Sequence, residues 1–226
     1  MSKMRLLILL IYLSSRACCF AVEQGDTDQL EVVKKWIAHR SSVTSVSASF
    51  VQERHLKALK RPIINTGQLW FKAPRLFRWE VGSPAESIAI SKNGTFLMVS
   101  PMKNSAERHS DKGLKNSSRS PVSMFFEAGF SNDYNEFIRR FTVTEITRRD
   151  GKFLISLKVN DRRTSLALRK IVFEMNSKTY VTESMEIRFR DTSSIKTKFS
   201  DVRENEDLSN DLFEYDLTGF HIKDVN

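Results

Sequence analysis

The residues that could bind a metal or carry out catalysis are scattered along this sequence. It has four histidines: His39, His55, His109 and His221. None of them lies near another histidine or a cysteine at the spacing of a metal-binding motif. The acidic residues Glu204, Glu206 and Asp207 occur in a polar stretch that lacks the central glycine of a calcium-binding loop. We therefore predict no metal site and no cofactor.

Sequence motifs for nucleophilic or acid–base catalysis are also missing. The sequence contains no Gly-x-Ser-x-Gly nucleophile motif and no glycine-rich phosphate-binding loop. No pair of carboxylates is singled out by its spacing. His39 lies near the end of a predicted helix, where an imidazole more often stabilises the last carbonyl groups than binds a metal. We predict no catalytic residues and expect a binding protein rather than an enzyme.

The start of the chain has the pattern of an export signal. Lys3 and Arg5 precede an apolar run at residues 6–13, which suits a signal peptide and is too short to span a bilayer. Small residues suit cleavage after Ala21. We therefore expect residues 1–21 to be removed as a signal peptide during export to the periplasm.

The two cysteines, Cys18 and Cys19, lie at the end of this signal segment. Cleavage after Cys19 is the alternative to cleavage after Ala21. Acylation of either cysteine is a further alternative, which Arg16 disfavours because lipoprotein signals carry small and apolar residues there. Removal of residues 1–21 leaves a chain without cysteine, so the apolar core alone must stabilise the fold.

Residues 22–226 have the length of one large domain with a moderately basic surface. Removal of Lys3, Arg5 and Arg16 lowers the net charge from +9 to +6, with 33 basic residues against 27 acidic ones. The basic residues are spread along the chain, so the composition gives little support for nucleic-acid binding. We expect a monomer whose surface suits anionic headgroups or an acidic partner.

The elements that would position a binding site are one amphipathic helix and many strands. The helix is predicted from a cap at Asp26 or Thr27 to about Arg40. Its apolar stripe consists of Leu30, Val33, Trp36 and Ile37. Beyond it the apolar positions alternate, in runs at residues 46–50, 77–81, 88–90, 96–99, 153–159, 166–173, 185–189, 195–199 and 213–217. Nine to eleven short strands with one apolar and one charged face predict a large antiparallel sheet that curls.

Two regions interrupt this alternation. Residues 101–120 are rich in Ser, Lys and Asn and predict a mobile loop. Pro121 then begins an apolar stretch that is predicted to be a short helix ending at Gly129. A second short helix is predicted to begin at Asn132 or Asp133.

The apolar face of such a sheet must be covered, and two arrangements can cover it. The sheet can fold into a sandwich around a packed core, or it can curl around a cavity that the helices close. Periodicity favours the packed core, because close packing is the rule in protein interiors. The pattern of apolar residues leaves both arrangements open.

Four segments together resemble a known protein family. Ser-Ala-Ser-Phe-Val-Gln-Glu stands at 47–53, and Thr-Gly-Gln-Leu-Trp-Phe-Lys-Ala-Pro-Arg-Leu-Phe-Arg-Trp-Glu stands at 66–80. Ser-Lys-Asn-Gly-Thr-Phe-Leu follows at 91–97, and Leu-Phe-Glu-Tyr-Asp-Leu-Thr-Gly-Phe-His-Ile closes the series at 212–222. These blocks resemble the outer-membrane lipoprotein carrier family, LolA. The resemblance covers nearly the whole predicted domain, although residues 101–180 match in pattern rather than in letters.

The resemblance implies an α+β fold that is mostly β: a curved, antiparallel, incomplete β-barrel of about 11 strands, with a helical lid over an apolar cavity. It implies a carrier that binds the acyl chains of acylated lipoproteins and moves them from the inner to the outer membrane. Its expected partners are an inner-membrane lipoprotein-releasing transporter and a possible outer-membrane acceptor. The residues expected to line the acyl cavity are Phe50, Leu69, Phe71, Phe77, Trp79, Ile88, Ile90, Met124, Phe125 and Phe126.

One departure from the family pattern concerns the lid. The family has an arginine directly before the conserved proline, and this arginine is thought to tether the lid. The position is Ala73 here, followed by Pro74. Arg75 lies two residues after Ala73, which in a strand would place both side chains on one face. We therefore expect Arg75 to act as the lid tether.

A second class of function fits the same fold. A regulatory module could bind lipoproteins or another apolar ligand and report their presence through a partner protein. Such a sensor would hold its ligand and bind a partner domain, whereas a carrier would pass the lipoprotein on to a membrane.

Overall fold

The computed structural model describes residues 23–110 and 133–225, which form one twelve-stranded sheet and three helices. The helices are α1 (Glu23–Ser42), α2 (Tyr134–Arg140) and α3 (Arg162–Ala167). The first six strands are β1 (Ser45–His55), β2 (Ile63–Lys72), β3 (Leu76–Val81), β4 (Ser87–Lys92), β5 (Thr95–Ser100) and β6 (Ser105–Ser110). The other six are β7 (Phe141–Arg149), β8 (Lys152–Val159), β9 (Leu168–Asn176), β10 (Thr182–Phe189), β11 (Ser194–Glu204) and β12 (His221–Val225).

The sheet is open and curved. Its strand order is β12-β6-β5-β4-β3-β2-β1-β11-β10-β9-β8-β7, and neighbouring strands are antiparallel except β12 and β6, which are parallel. β1 pairs with both β2 and β11, so it joins the run β1–β6 to the run β7–β11. The edge strands β12 and β7 do not pair with each other. This confirms the predicted incomplete, mostly antiparallel barrel, with twelve strands in place of about eleven.

Helix α1 covers the concave face of the sheet with its second half. Val33 and Trp36 are buried, as their helical spacing predicts. The ring of Trp36 meets Phe137 of α2 edge-on at 5.7 Å between centroids, and it meets Phe173 of β9 at 5.0 Å. Leu30, which belongs to the same predicted stripe, is 42% exposed. The sheet therefore holds the helix mainly through the turns around Trp36.

The main core lies on this concave face and is dominated by aromatic rings. Phe50 of β1 stacks on Trp79 of β3 with 4.1 Å between centroids, and Phe77 lies 6.3 Å from Trp79. The Phe50 ring fits because Gly67 stands opposite it in β2. A Cβ at Gly67 would collide with that ring and with the carbonyl oxygen of Glu80. Burial of each such ring stabilises the fold by about 1.5–3 kcal/mol.

The convex face of β3–β6 carries a second apolar cluster, which corrects the prediction that this face is only charged. The cluster consists of Ile88, Ile90, Val99, Ala106, Leu208 and Phe213. Leu208 and Phe213 come from the segment after β11, which crosses the outside of the sheet. A sheet can carry apolar residues on both faces where a second segment covers the outer one. The single greasy face predicted from alternation is therefore wrong for this part of the sheet.

The covering segment also corrects the last predicted strand, at residues 213–217. The chain there forms a 3₁₀ turn, Asn210–Phe213, followed by an irregular stretch. Arg78 of β3 donates hydrogen bonds of 2.8 and 2.9 Å to the carbonyl oxygens of Leu212 and Glu214. These bonds satisfy carbonyl groups that have no strand partner. The last strand in the chain is instead β12, which begins four residues after the predicted strand ends.

Other boundaries differ in smaller ways. Residues 105–110, predicted as part of a mobile loop, form β6, because pairing with β5 and β12 provides their backbone partners. Leu166, predicted in a strand, lies in α3 and is 73% exposed. The predicted start of α2 is confirmed, since Asp133 caps it by accepting a 2.7 Å hydrogen bond from the Glu136 amide. The predicted helix at 121–129 lies outside the described residues.

Within residues 23–110 and 133–225, no helix combines the length and the hydropathy that crossing a bilayer requires.

Candidate functional site

A pocket lies between the C-terminal end of α1 and the concave face of the sheet. Its cavity volume is about 150 Å³. Residues 39–41 of α1 form one wall, and side chains from β1, β2, β9 and β11 form the floor. The turn between β9 and β10 closes another side with residues 180–182. The pocket therefore depends on strands that are distant in sequence and meet because β1 pairs with β11.

The floor of the pocket is apolar. Its side chains are Val46, Ala48, Leu69, Phe71, Phe173 and Phe199. A cavity of this size with an apolar lining holds a ligand of about the volume of benzene. It is smaller than the roughly 300–1,000 Å³ of a complete small-molecule site. In this conformation the pocket therefore accommodates one segment of a hydrocarbon chain rather than several chains.

A β-bulge in β11 turns one of the lining side chains towards the pocket. Ser49 pairs with Ser200, but Ser47 pairs with Arg203, so β11 contains one extra residue between the two pairs. Asp201 adopts a left-handed backbone conformation, with a φ of 52°. Strict alternation from Phe199 would turn residue 202 away from the pocket, whereas the extra residue restores it to the inner face. Val202 consequently lines the pocket.

The rim of the pocket is polar. His39 Nε2 lies 3.1 Å from Glu204 Oε1, which links α1 to β11. The Thr44 amide donates a 2.8 Å hydrogen bond to the side-chain oxygen of Asn205. These contacts fix the end of α1 over the pocket. The expected contact of His39 with the last carbonyl groups of its helix is therefore replaced by a contact with Glu204 of another element.

Arg40 gives the pocket a buried cation. Its Nε, Nη1 and Nη2 atoms are all buried, and none donates to an acceptor among the described residues. Its guanidinium carbon lies 4.6 Å from the centre of the Trp36 ring, one helical turn earlier. Burial lowers the pKa of Arg40 well below its ordinary value, to about 9. The residue as a whole is half-buried, so its exposed part is the backbone and stem rather than the charged head.

The ten residues predicted to line the cavity do not all lie in the same part of the structure. Leu69 and Phe71 line the pocket. Phe50, Phe77 and Trp79 lie beside it, in the tightly packed core.

The remaining predicted cavity residues lie elsewhere. Ile88 and Ile90 point to the opposite face and belong to the outer cluster, because their neighbour Ala89 faces the main core. They are therefore not part of this pocket. The last three, Met124, Phe125 and Phe126, lie outside the described residues.

Arg75 and Ala73 do not lie on one strand face, contrary to the prediction. Residues 73–75 form the turn between β2 and β3, so strand alternation does not apply to them. Both residues are exposed, and of the two only Ala73 lines the pocket.

Neither the role of Arg40 nor the contact between His39 and Glu204 was predicted from the sequence. One signal was present: Arg40 stands four residues after Trp36, on the apolar side of α1. The burial of its head could not be read from the spacing, since long cationic side chains usually extend their charge into water. Among the described residues, no group of three or more His, Cys, Asp and Glu side chains is arranged to hold a metal ion.

Comparison with known proteins places this fold and pocket in a family. Residues 41–216 match the family described as outer membrane lipoprotein carrier protein LolA. The chain belongs to the LolA family. The match includes every strand that forms the floor of the pocket, and it leaves out most of α1.

Individual relatives match a shorter part of the chain than the family does, and at low sequence identity. The chain is 29% identical over 137 residues to an outer-membrane lipoprotein carrier protein of Yersinia pestis, covering 59% of this chain and 61% of that protein. It is 28% identical over 122 residues to the protein of the same name from Serratia proteamaculans, covering 54% and 59%. The matches thus span about three fifths of the length of these LolA relatives.

A solved structure shares the fold. An uncharacterized conserved protein from Thermus thermophilus superposes with a TM-score of 0.52 at 8% identity, covering 87% of this chain and 99% of that one. At this identity the likeness concerns the LolA-like fold alone.

Proposed function

We propose that this protein is a periplasmic carrier that binds acyl chains of lipoproteins in the pocket beneath α1 and moves them from the inner to the outer membrane. The observation that carries the proposal is an apolar pocket on the concave face of an open sheet, in a chain of the LolA family. The relatives named as lipoprotein carriers support the same cargo. The role is binding rather than catalysis.

The size of the pocket suits a carrier that must release its cargo. Each methylene removed from water contributes about 0.8 kcal/mol, so a fully enclosed chain would be bound very tightly. A cavity of about 150 Å³ encloses only part of a chain. Partial enclosure favours moderate affinity, and a lipoprotein with several chains requires the pocket to widen when it loads.

The expected partners follow from this role. An inner-membrane transporter would release the lipoprotein to the carrier, and an outer-membrane acceptor would receive it. We propose that residues 1–21 direct export to the periplasm and that the carrier acts as a monomer.

Filling the pocket tests the proposal. Ala48 of β1 lies on the pocket floor, whereas Val51 of the same strand is 38% exposed. We expect Ala48→Phe to abolish the retention of acylated lipoproteins on the purified protein, as measured by mass spectrometry of the bound material. Val51→Phe adds a ring outside the pocket and is the matched control. Equal retention by both variants would contradict the proposed site.

A transfer assay separates a carrier from a sensor. Loaded protein is mixed with outer-membrane vesicles, and the lipoprotein that moves to the vesicles is measured. A carrier delivers its cargo, whereas a sensor holds the lipoprotein and binds a partner domain.

The tethering role of Arg75 stays a prediction, and the same assay tests it. Arg75→Leu should change the rate of lipoprotein release more than Lys72→Leu, which alters a cation in the neighbouring part of the same hairpin. Equal effects of the two substitutions would exclude a special role for Arg75.

A further inference from the structure

We propose that Arg40 makes this pocket a site for the acidic group of a lipid, a carboxylate or a phosphate attached to an acyl chain. The inference deepens the proposed function, because it assumes that the pocket binds acyl chains. It adds a ligand class, anionic amphiphiles, and a residue that selects them.

The orientation of Arg40 is the reverse of the usual one. Long cationic side chains generally bury their aliphatic stem and extend the charge into water. All three guanidinium nitrogens of Arg40 are instead buried, although the residue lines the pocket. Within residues 23–110 and 133–225, no other arginine has all three nitrogens buried without an acceptor.

The neighbouring protein groups do not neutralise this charge. Glu204 lines the same pocket, but its carboxylate contacts His39. Arg40 forms no ion pair within 4.0 Å among the described residues. The Trp36 ring, 4.6 Å away, offers its face to the cation. A ring face is a weaker partner than a carboxylate, and it leaves the five N–H donors of the guanidinium without acceptors.

A ligand that fits must therefore be apolar at one end and acidic at the other. The floor residues Ala48, Leu69 and Phe199 can accept only hydrocarbon. When the pocket widens to load a ligand and uncovers the guanidinium, that group can bind a carboxylate or phosphate through two parallel hydrogen bonds. Burial lowers the pKa of Arg40 to about 9, so the group still carries its charge near neutral pH.

The experiment compares ligands that share one chain and differ in the head. Dodecanoate, dodecyl phosphate and dodecanol are titrated into delipidated protein by isothermal titration calorimetry. Wild-type protein should bind at least one of the two acids about tenfold or more tightly than the alcohol, which is the effect of a charge-assisted hydrogen bond. The acid with the larger advantage identifies the head group as a carboxylate or a phosphate.

Variants assign the preference to Arg40. Arg40→Met should bind dodecanol as wild type does and lose the preference for the acids, whereas Arg40→Lys should retain part of it. Lys34→Met removes a charge from the exposed side of the same helix and should leave the preference unchanged. Thermal unfolding of each variant shows that it is folded.

Two results would overturn the inference while leaving the acyl-binding proposal intact. One is equal binding of acids and alcohol by wild type. The other is a preference for acids that persists in Arg40→Met or disappears in Lys34→Met. If wild type binds none of the three ligands, the proposed acyl pocket fails, and this inference fails with it.

Discussion

Replacing Arg40 by methionine should make the ligand-free protein more stable. Methionine keeps a side chain of similar length against Trp36 and removes the buried charge. An arginine whose pKa falls on folding from its ordinary value to about 9 would cost at most about 5 kcal/mol at neutral pH. Its contact with the Trp36 ring, at 4.6 Å, returns up to about 2 kcal/mol. We expect a net gain of about 1–3 kcal/mol in the free energy of unfolding.

The pH dependence gives this prediction a second test. Folding lowers the pKa of Arg40, so the folded state binds its proton less firmly than the unfolded state. The penalty is fully present below about pH 9 and shrinks as pH rises from there towards the ordinary pKa of arginine. The difference in the free energy of unfolding between Arg40→Met and wild type should therefore shrink by up to about 1.4 kcal/mol per pH unit above pH 9.

The measurement is urea unfolding of both proteins, followed by circular dichroism at pH 7 and pH 10. His39, Tyr180 and Glu204 line the same pocket, and comparing the two proteins at each pH cancels contributions that they share. Lys34→Met should change the free energy of unfolding by no more than about 0.5 kcal/mol. The reasoning is refuted if Arg40→Met is less stable than wild type at pH 7. A difference that stays constant between the two pH values would refute the assigned burial of the charge.

Two further substitutions and one deletion test how the sheet positions the pocket. Gly67→Ala should destabilise the fold by about 1–3 kcal/mol in urea unfolding, because the new methyl group meets the Phe50 ring; an unchanged midpoint would contradict this packing. Phe213→Ala should cost about 3–5 kcal/mol, since it uncovers the outer cluster, and a loss below 1 kcal/mol would show that the covering segment contributes little. Deletion of Asp201 should remove the bulge from β11 and still leave Val202 on the inner face, because Val202 would then follow Phe199 by two positions; dodecanol binding in calorimetry should be retained, whereas a loss of affinity would mean that the bulge shapes the site in another way.

Much of the fold could be predicted because it depends on local pattern. The spacing of Val33 and Trp36 predicted α1, and alternation predicted most of the strands. The motif around Phe50 and Trp79 resembled the LolA family, which residues 41–216 match. These features depend on residues close together in the chain, where periodicity determines which side chains share a face.

The rest could not be read from local pattern. Ile88 and Ile90 alternate correctly as a strand, but alternation alone cannot tell which face each set of residues occupies. The outer face is apolar there because Leu208 and Phe213, more than a hundred residues later, cover it. The bulge at Asp201 likewise follows from pairing with β1 rather than from a local signal.

The sequence by itself determined one amphipathic helix, a long series of alternating strands and membership of a carrier-like family. Only the tertiary structure decided that α1 ends over β1, β2 and β11, and that its last turn directs Arg40 inwards. The physical reason is that burial is a property of what surrounds a group. An arginine near the end of a helix is ordinarily solvated, and it becomes a buried, unneutralised cation here because three distant strands and Trp36 enclose it.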